Sequence, residues 1–121
     1  MKKKTLVLGS SENTERYSNK AIRMLKQYDY PVVAHGLRKG NVVDVPIETD
    51  FTEEMNDVDT ITLYLSAKNQ LPYYDKIIEL NPTRVLFNPG TENSTFEQLL
   101  EDKGITTERA CTLVLLSTGT Y

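Results

Sequence analysis

The chain has few of the residues that hold small proteins together covalently or through metals. Its 121 residues include one cysteine, Cys111, one histidine, His35, and no tryptophan. A single cysteine cannot form a disulfide within the chain, and with one histidine it supplies too few soft ligands for a zinc or iron–sulfur site. The sequence therefore predicts no metal site, and a chain of this length buries enough surface to fold without one.

Long hydrophobic runs are also missing. The longest candidate, Leu113–Leu116, is far shorter than the roughly 18 apolar residues that a membrane span requires. The three lysines at positions 2–4 precede an apolar run that ends at Gly9, which is too short for an export signal. We therefore expect no membrane partner and a cytoplasmic location.

The net charge of −3 conceals a basic N-terminal third. Residues 1–40 carry nine Lys or Arg against three acidic residues, whereas the rest of the chain carries five against 14. This asymmetry predicts an anionic ligand near the N-terminal third. An overall pI near 5.2 and an aromatic content of 8% argue against a nucleic-acid surface. A small phosphorylated ligand fits these numbers better.

Apolar runs alternate with amphipathic stretches along the chain. The runs at 5–9, 32–35, 60–65 and 84–87 predict strands, as does the run at 111–116, and 45–49 is a possible further strand. The first predicted helix is capped by Ser18, and another has Pro72 near its first turn. A further helix begins with a capping box at Ser94–Glu97 and ends at Gly104. The predicted fold is α/β, with one domain over residues 1–121. It is a three-layer, Rossmann-like, doubly wound and mainly parallel sheet of five or six strands with helices on both faces.

The loop after the first strand is the first candidate site. In doubly wound sheets ligands bind beyond the carboxyl ends of the strands, where strand order reverses, and the first strand borders that point. Here the loop offers serine hydroxyls, backbone N–H groups, a helix start and Arg16, all of which suit a phosphate. An ordinary polar turn has the same composition. The dinucleotide pattern GxGxxG is absent, because Ser11 and Thr14 stand where glycines are needed.

The end of the second strand narrows the choice of cofactor. NAD-binding domains place a carboxylate there for the ribose hydroxyls, but residues 35–40 contain no acid. Instead Arg38 and Lys39 favour a ribose that carries a phosphate, as in NADP and coenzyme A. An exposed basic turn without a ligand is the alternative.

Several segments, in order, resemble a known family. Gly9–Ser11, Arg16–Ser18, Val32–Val33, Phe87–Gly90 and the segment from Cys111 are similar to the small stand-alone coenzyme A-binding domain proteins, which resemble the coenzyme A-binding domain of succinyl-CoA synthetase alpha subunits. The resemblance runs from about Lys3 to Leu116. It implies a Rossmann-like domain that holds the ADP part of coenzyme A.

The residues and the resemblance together define one candidate cofactor-binding set, spread over four loops and one helix. This set is Gly9, Ser10, Ser11, Arg16, Ser18, Lys20, Gly36, Arg38, Leu65, Ser66, Asn88, Pro89 and Gly90. The chain departs from the family pattern at three places. It has His35-Gly36-Leu37 for Val-Asn-Pro, Ser66-Ala67-Lys68 for Arg/Ser-Pro-Glu, and Arg109–Thr112 for Asp-x-Cys-Pro.

No residue is predicted to be catalytic. His35 at a strand end and Cys111 in an apolar run are interpreted as packed residues. We expect the chain to bind coenzyme A or an acyl-coenzyme A through its phosphate and ADP part, without catalysis of its own. Two alternatives stay open, an NADP-linked small oxidoreductase and an interaction or regulatory protein that has lost nucleotide binding. The sequence identifies no protein partner.

Overall fold

The chain forms one seven-stranded sheet in a computed structural model that describes residues 2–121. The strands are β1 (Thr5–Leu8), β2 (Val32–His35), β3 (Gly40–Val42), β4 (Val45–Glu48), β5 (Thr60–Leu63), β6 (Arg84–Phe87) and β7 (Thr106–Arg109). Their order across the sheet is β3-β4-β2-β1-β5-β6-β7. Every neighbouring pair is parallel except β3 with β4.

Helices cover both faces of the sheet. They are α1 (Tyr17–Gln27), α2 (Ala67–Gln70), α3 (Tyr74–Leu80), α4 (Ser94–Asp102) and α5 (Thr112–Ser117), with 3-10 turns at Glu53–Met55 and Leu71–Tyr73. Leu6 and Leu8 of β1 belong to the core that includes Phe96 of α4, whereas Val7 packs in the opposite core with Ile22 of α1. Because successive strand residues point to opposite faces, a strand covered on both sides reads as one continuous apolar run. None of the helices in residues 2–121 has the length and hydrophobicity needed to span a bilayer.

The predicted fold class is confirmed, but the strand count of five or six is too low. The additional strand, β3, pairs antiparallel with β4 as a hairpin at one edge of the sheet. Its three residues are Gly40, Asn41 and Val42, of which only Val42 is apolar and buried. So short a strand carries no recognisable alternation, which explains why the sequence pattern did not predict it.

The prediction of a last strand at 111–116 is wrong. This segment is α5, in which Thr112 and Leu116, four residues apart, are buried while Val114 is 55% exposed. A short apolar run does not separate a strand from a helix by its pattern alone. The true last strand, β7, lies at the other sheet edge and consists of largely exposed polar residues, so it has no apolar signal.

Two predicted helix caps are also wrong by one or two residues. The residue before α1 is Arg16, so Ser18 lies inside the first turn, where it is buried. The cap of α4 is Asn93 rather than Ser94, because the Asn93 side chain accepts a hydrogen bond from the Phe96 N–H. The Asn93 N–H in turn donates to the Glu97 carboxylate at 2.9 Å. Gly104, with φ +79°, follows α4 as predicted.

The strand order creates one switch point. From β1 the chain builds outward through β2 and β4, and then returns to add β5 on the other side of β1. The connections that leave β1 and β5 therefore diverge toward opposite faces and leave a crevice at their carboxyl ends. This is where the fold places a ligand site.

Candidate ligand-binding cleft

A cleft of about 1000 Å³ opens at the carboxyl end of the sheet. Four segments line it: the loop after β1 with the first turn of α1, Leu37–Lys39 after β2, Tyr64–Ser66 after β5, and Pro89–Thr91 after β6. We call the first two segments the first wall and the last two the second wall. Asn69 of α2 completes the lining.

Most of the predicted site residues meet in this cleft. Those that line it are Gly9, Ser10, Ser11, Arg16, Ser18, Arg38, Leu65, Ser66, Pro89 and Gly90. Three others lie outside its lining, namely Lys20, Gly36 and Asn88. The ammonium of Lys20 lies 5.1 Å from the centre of the Tyr17 ring, and Tyr17 itself lines the cleft.

The loop after β1 is held down on its neighbouring strands. The N–H groups of Gly9 and Ser10 both donate to the His35 carbonyl, at 3.0 and 2.9 Å. Gly9 has φ +94°, and a Cβ there would lie 2.9 Å from the Tyr64 carbonyl oxygen. The Ser10 hydroxyl donates inward to the Val7 carbonyl at 2.8 Å. Only glycine fits position 9, since both the backbone conformation and the close approach exclude a side chain.

The first turn of α1 presents backbone donors to the cleft. Among residues 2–121, the N–H groups of Tyr17 and Ser18 donate to no protein acceptor. These groups belong to the N-terminus of an 11-residue helix, where the helix dipole adds a partial positive charge. Asn19 supports the loop in front of them, because its amide Nδ2 donates to the Ser11 carbonyl at 2.9 Å. Such an arrangement suits an anionic group.

Three cations of the first wall also face the cleft. Arg16, Arg38 and Lys39 line it, and none of them takes part in an ion pair within residues 2–121. The carboxylates of Glu12 and Glu15 share this wall. Sequence analysis did not single out either glutamate, because nothing in the pattern shows which loop residues face inward.

The second wall rests on a network of buried neutral amides. The Gln70 Nε2 group donates to the carbonyls of Leu65 and Thr91, at 2.8 and 2.7 Å, and so joins the loops after β5 and β6. The Asn93 Nδ2 group donates to Gln70 Oε1 at 3.0 Å and to the Tyr74 hydroxyl at 2.8 Å. Gln70 is completely buried. A glutamine in a short helix gives no sign of this role in the sequence.

Asn88 belongs to the support of this wall rather than to its surface. Its Nδ2 group donates to the Thr62 hydroxyl at 2.7 Å and to the Leu63 carbonyl at 2.8 Å. Its Oδ1 atom accepts the Thr112 N–H at 2.8 Å. With its amide nitrogen and its amide oxygen both hydrogen-bonded and an exposure of 2%, Asn88 fixes the start of the loop that Pro89 and Gly90 continue.

Two buried titratable side chains at or beside the cleft, Tyr64 and His35, have shifted pKa values. Burial raises the pKa of Tyr64 to about 12, so its phenol in the cleft wall stays protonated at neutral pH. His35 is 4% exposed, stacked on Phe51 with 4.4 Å between ring centres and edge-on to Tyr73 at 5.5 Å. Burial lowers the pKa of His35, against the opposing effects of the Thr49 backbone and the Asp50 carboxylate.

These features define a Rossmann-like ligand-binding domain with its cleft at the switch point of the sheet. The chain belongs to the CoA binding domain family, whose sequence model matches residues 3–117. The resemblance that the sequence motifs indicated is therefore confirmed at the level of the family. No curated protein matches the chain by sequence.

Solved structures share the fold over most of the chain. A crystal structure of a protein described only as uncharacterized has 42% sequence identity and a TM-score of 0.95, over 100% of this chain and 99% of that one. A protein from Thermus thermophilus has 19% identity and a TM-score of 0.85, over 99% and 91% of the two chains. The dinucleotide-forming acetyl-coenzyme A synthetase 1 from Ca. Korarchaeum cryptofilum has 13% identity and a TM-score of 0.72, over 89% of this chain and 25% of that one. At such low identities the last two show the fold alone.

Proposed function

We propose that this chain binds coenzyme A or an acyl-coenzyme A through its ADP part, without catalysis of its own. Membership of the CoA binding domain family supports a ligand of this kind. One observation carries the proposal: three cations that form no ion pair within residues 2–121, Arg16, Arg38 and Lys39, line the same cleft as the N-terminus of α1, at the switch point of the sheet. Phosphates need both the backbone donors and the cations, which this wall brings together.

Each part of the ligand has a proposed contact. The N–H groups of Tyr17 and Ser18 and the Arg16 guanidinium receive the pyrophosphate, because they lie together where α1 begins. Arg38 and Lys39, beyond the end of β2, receive the 3′-phosphate on the ribose. The second wall then borders the path of the pantetheine arm, since it forms the opposite side of the cleft.

The proposal that the chain binds a ligand without catalysing a reaction rests on which side chains line the cleft. Within residues 2–121 its lining contains neither histidine nor cysteine. His35 packs against two aromatic rings, and Tyr64 holds its proton firmly because burial raises its pKa to about 12. A general base needs a pKa near the working pH, and neither His35 nor Tyr64 provides such a base in the cleft.

Isothermal titration of the protein with coenzyme A, dephospho-coenzyme A and NADP tests this function. We expect saturable binding of coenzyme A that weakens about tenfold in Arg16→Ala, as the loss of a charge-assisted hydrogen bond implies. Arg38→Ala should weaken coenzyme A but leave dephospho-coenzyme A nearly unchanged. The matched control is Arg23→Ala, which removes an exposed arginine of α1 that lies outside the cleft.

The titrations separate the alternatives. If NADP binds more tightly than coenzyme A, the NADP-linked oxidoreductase becomes the better reading. If none of the three nucleotides binds saturably, the proposal is wrong and a protein-interaction role takes its place. If Arg23→Ala weakens binding as much as Arg16→Ala, the effect is one of overall charge and the assigned contact is wrong.

A further inference from the structure

The loop between β2 and β3, residues 36–39, is held against the loop after β1 at both of its ends. At the first end the β1 loop approaches Gly36 closely: a Cβ at Gly36 would lie 2.4 Å from the Ser10 carbonyl oxygen. The N–H groups of Gly9 and Ser10 donate to the carbonyl of the preceding His35. Side chains larger than hydrogen are therefore excluded at this junction.

Glu12 makes the second fastening. Its Oε2 atom accepts a hydrogen bond from the Asn41 N–H at 2.8 Å, so the side chain reaches from the first loop to the start of β3. It lies directly against Gly40, where a Cβ would lie 2.3 Å from the Glu12 carboxyl carbon. The absence of a side chain at Gly40 thus leaves the room that Glu12 needs. We call this contact the Glu12 strap.

The two cations assigned above to the 3′-phosphate lie between these fastenings. Arg38 and Lys39 are exposed, line the cleft and have no ion-pair partner within residues 2–121, so their own side chains do not fix their position. A carboxylate in the same wall opposes an anionic ligand electrostatically. The charge of Glu12 therefore opposes ligand binding, and the strap offers a gain that offsets this effect.

We infer that Glu12 is a positioning residue, which holds the Arg38–Lys39 loop in place for a ligand that carries a phosphate on its ribose. This inference rests on the proposed function, because it assumes coenzyme A as the ligand. A loop that is already ordered loses less conformational entropy when it binds. The strap therefore favours coenzyme A over dephospho-coenzyme A, even though the carboxylate itself repels both.

When Glu12 is replaced, loss of the strap should weaken the binding of coenzyme A, whereas loss of the charge should strengthen it. Titrations with both ligands therefore test the inference. In Glu12→Ala, which removes strap and charge, coenzyme A should bind about two- to tenfold more weakly, while dephospho-coenzyme A changes less. In Glu12→Gln the side-chain carbonyl can still accept the Asn41 N–H, so coenzyme A should bind at least as well as to the wild type. Glu15→Ala is the matched control, since it removes a cleft carboxylate that has no such contact, and it should tighten both ligands slightly.

A second variant reaches the same contact from the other side. In Gly40→Ala the new methyl group meets the end of a flexible side chain, so Glu12 moves away at little cost in stability. We expect Gly40→Ala to reduce the preference for coenzyme A over dephospho-coenzyme A as Glu12→Ala does, and the double variant to add nothing further. Additive effects of the two changes would overturn the inference.

The remaining outcomes separate this inference from the proposed function. If the wild type binds no coenzyme A, the proposed function fails and the inference fails with it, which the wild-type titration shows by itself. If the wild type binds but Glu12→Ala tightens both ligands, the carboxylate acts only through its charge and the inference alone is wrong. Amide hydrogen exchange of the ligand-free protein checks the strap directly: Asn41 should exchange faster in Glu12→Ala than in Glu12→Gln, and equal rates would overturn it.

Discussion

The two walls of the cleft are built by different means. The first wall depends on close backbone approaches at Gly9 and Gly36 and on exposed charged side chains. The second wall depends on buried amides: Asn93 bonds to Gln70, and Gln70 and Asn88 each donate to backbone carbonyls. The first wall offers charge and donors to a ligand, whereas the second holds its polar groups inside the protein.

This difference separates ligand recognition from structural support. Changes in the charged side chains of the first wall should alter affinity with little effect on the free energy of unfolding, because exposed charges add little to stability. Changes in the buried amides of the second wall should lower the free energy of unfolding more than they alter affinity, because a buried polar group without a partner is costly. Four predictions test where this division holds and where it fails.

The largest effect is expected from Gln70→Leu in the second wall. The change leaves the carbonyls of Leu65 and Thr91 without the Nε2 donor, in a buried site. We expect a loss of about 3 kcal/mol in the free energy of unfolding, measured by urea denaturation. Asn69→Ala, at the exposed neighbouring position in the same helix, is the control and should cost less than about 0.5 kcal/mol. Similar losses in the two variants would show that the amide network does not support the wall.

The contrast between the walls also explains what the sequence could predict. Buried strands such as β1 and β5 appear as apolar runs, and glycine, serine and arginine mark the phosphate loop, because these signals are local. Gln70 and Asn93 carry no such signal. The bonds from Gln70 to Thr91 and from Asn93 to Gln70 span 21 and 23 residues, so only the folded chain shows the network.

Other features of the chain become visible only in the fold. That Asn88 contacts the ligand stays a prediction, and the structure adds that its side chain bonds to Thr62, Leu63 and Thr112, which come together only in the fold. The apolar run that forms α5 fits a strand equally well until the burial of its two sides is known. Whether the cleft residues bind coenzyme A stays a prediction.

Gly36, which lies behind the first wall, and Gly90, in the second wall, should respond differently to alanine. In Gly36→Ala the new Cβ would lie 2.4 Å from the backbone oxygen of Ser10, which cannot move without opening the first wall, so we expect a loss of about 2 kcal/mol. Gly90 in the second wall has φ +92° and no neighbouring atom within 4 Å of a Cβ, so Gly90→Ala should cost only the backbone strain, about 1 kcal/mol. Urea denaturation of both variants checks the order, and a larger loss in Gly90→Ala would contradict it.

A smaller effect concerns pH. Burial lowers the pKa of His35 below its ordinary 6.5, so the neutral ring is favoured in the folded state. As the pH falls below about 6.5, the unfolded chain takes up a proton that the folded chain does not. The stability that His35 contributes is therefore present above pH 6.5 and is lost as the pH falls through the lower pKa of the folded state.

Unfolding free energies measured between pH 7.5 and about 5 should show this loss in the wild type and a flatter profile in His35→Gln. The Asp50 carboxylate and the Lys76 ammonium, which lies 5.5 Å from the Phe51 ring centre, remain in both proteins, so the difference between the two profiles isolates the histidine. The amides of the second wall do not titrate, and the profile of Gln70→Leu should follow that of the wild type. Parallel profiles for the wild type and His35→Gln would contradict the assignment.

The smallest effect is a gain in stability at the turn of the β3–β4 hairpin. Val43, between β3 and β4, has φ +58° and is 68% exposed, a conformation that a β-branched residue adopts only under strain. Other positions with positive φ in residues 2–121, such as Asn81, Gly90 and Gly104, hold residue types that tolerate this conformation. Val43→Asn should therefore raise the free energy of unfolding by about 1 kcal/mol. Val43→Ala, which keeps most of the strain, should gain less, and an equal gain in both variants would show that the backbone of the hairpin is not strained.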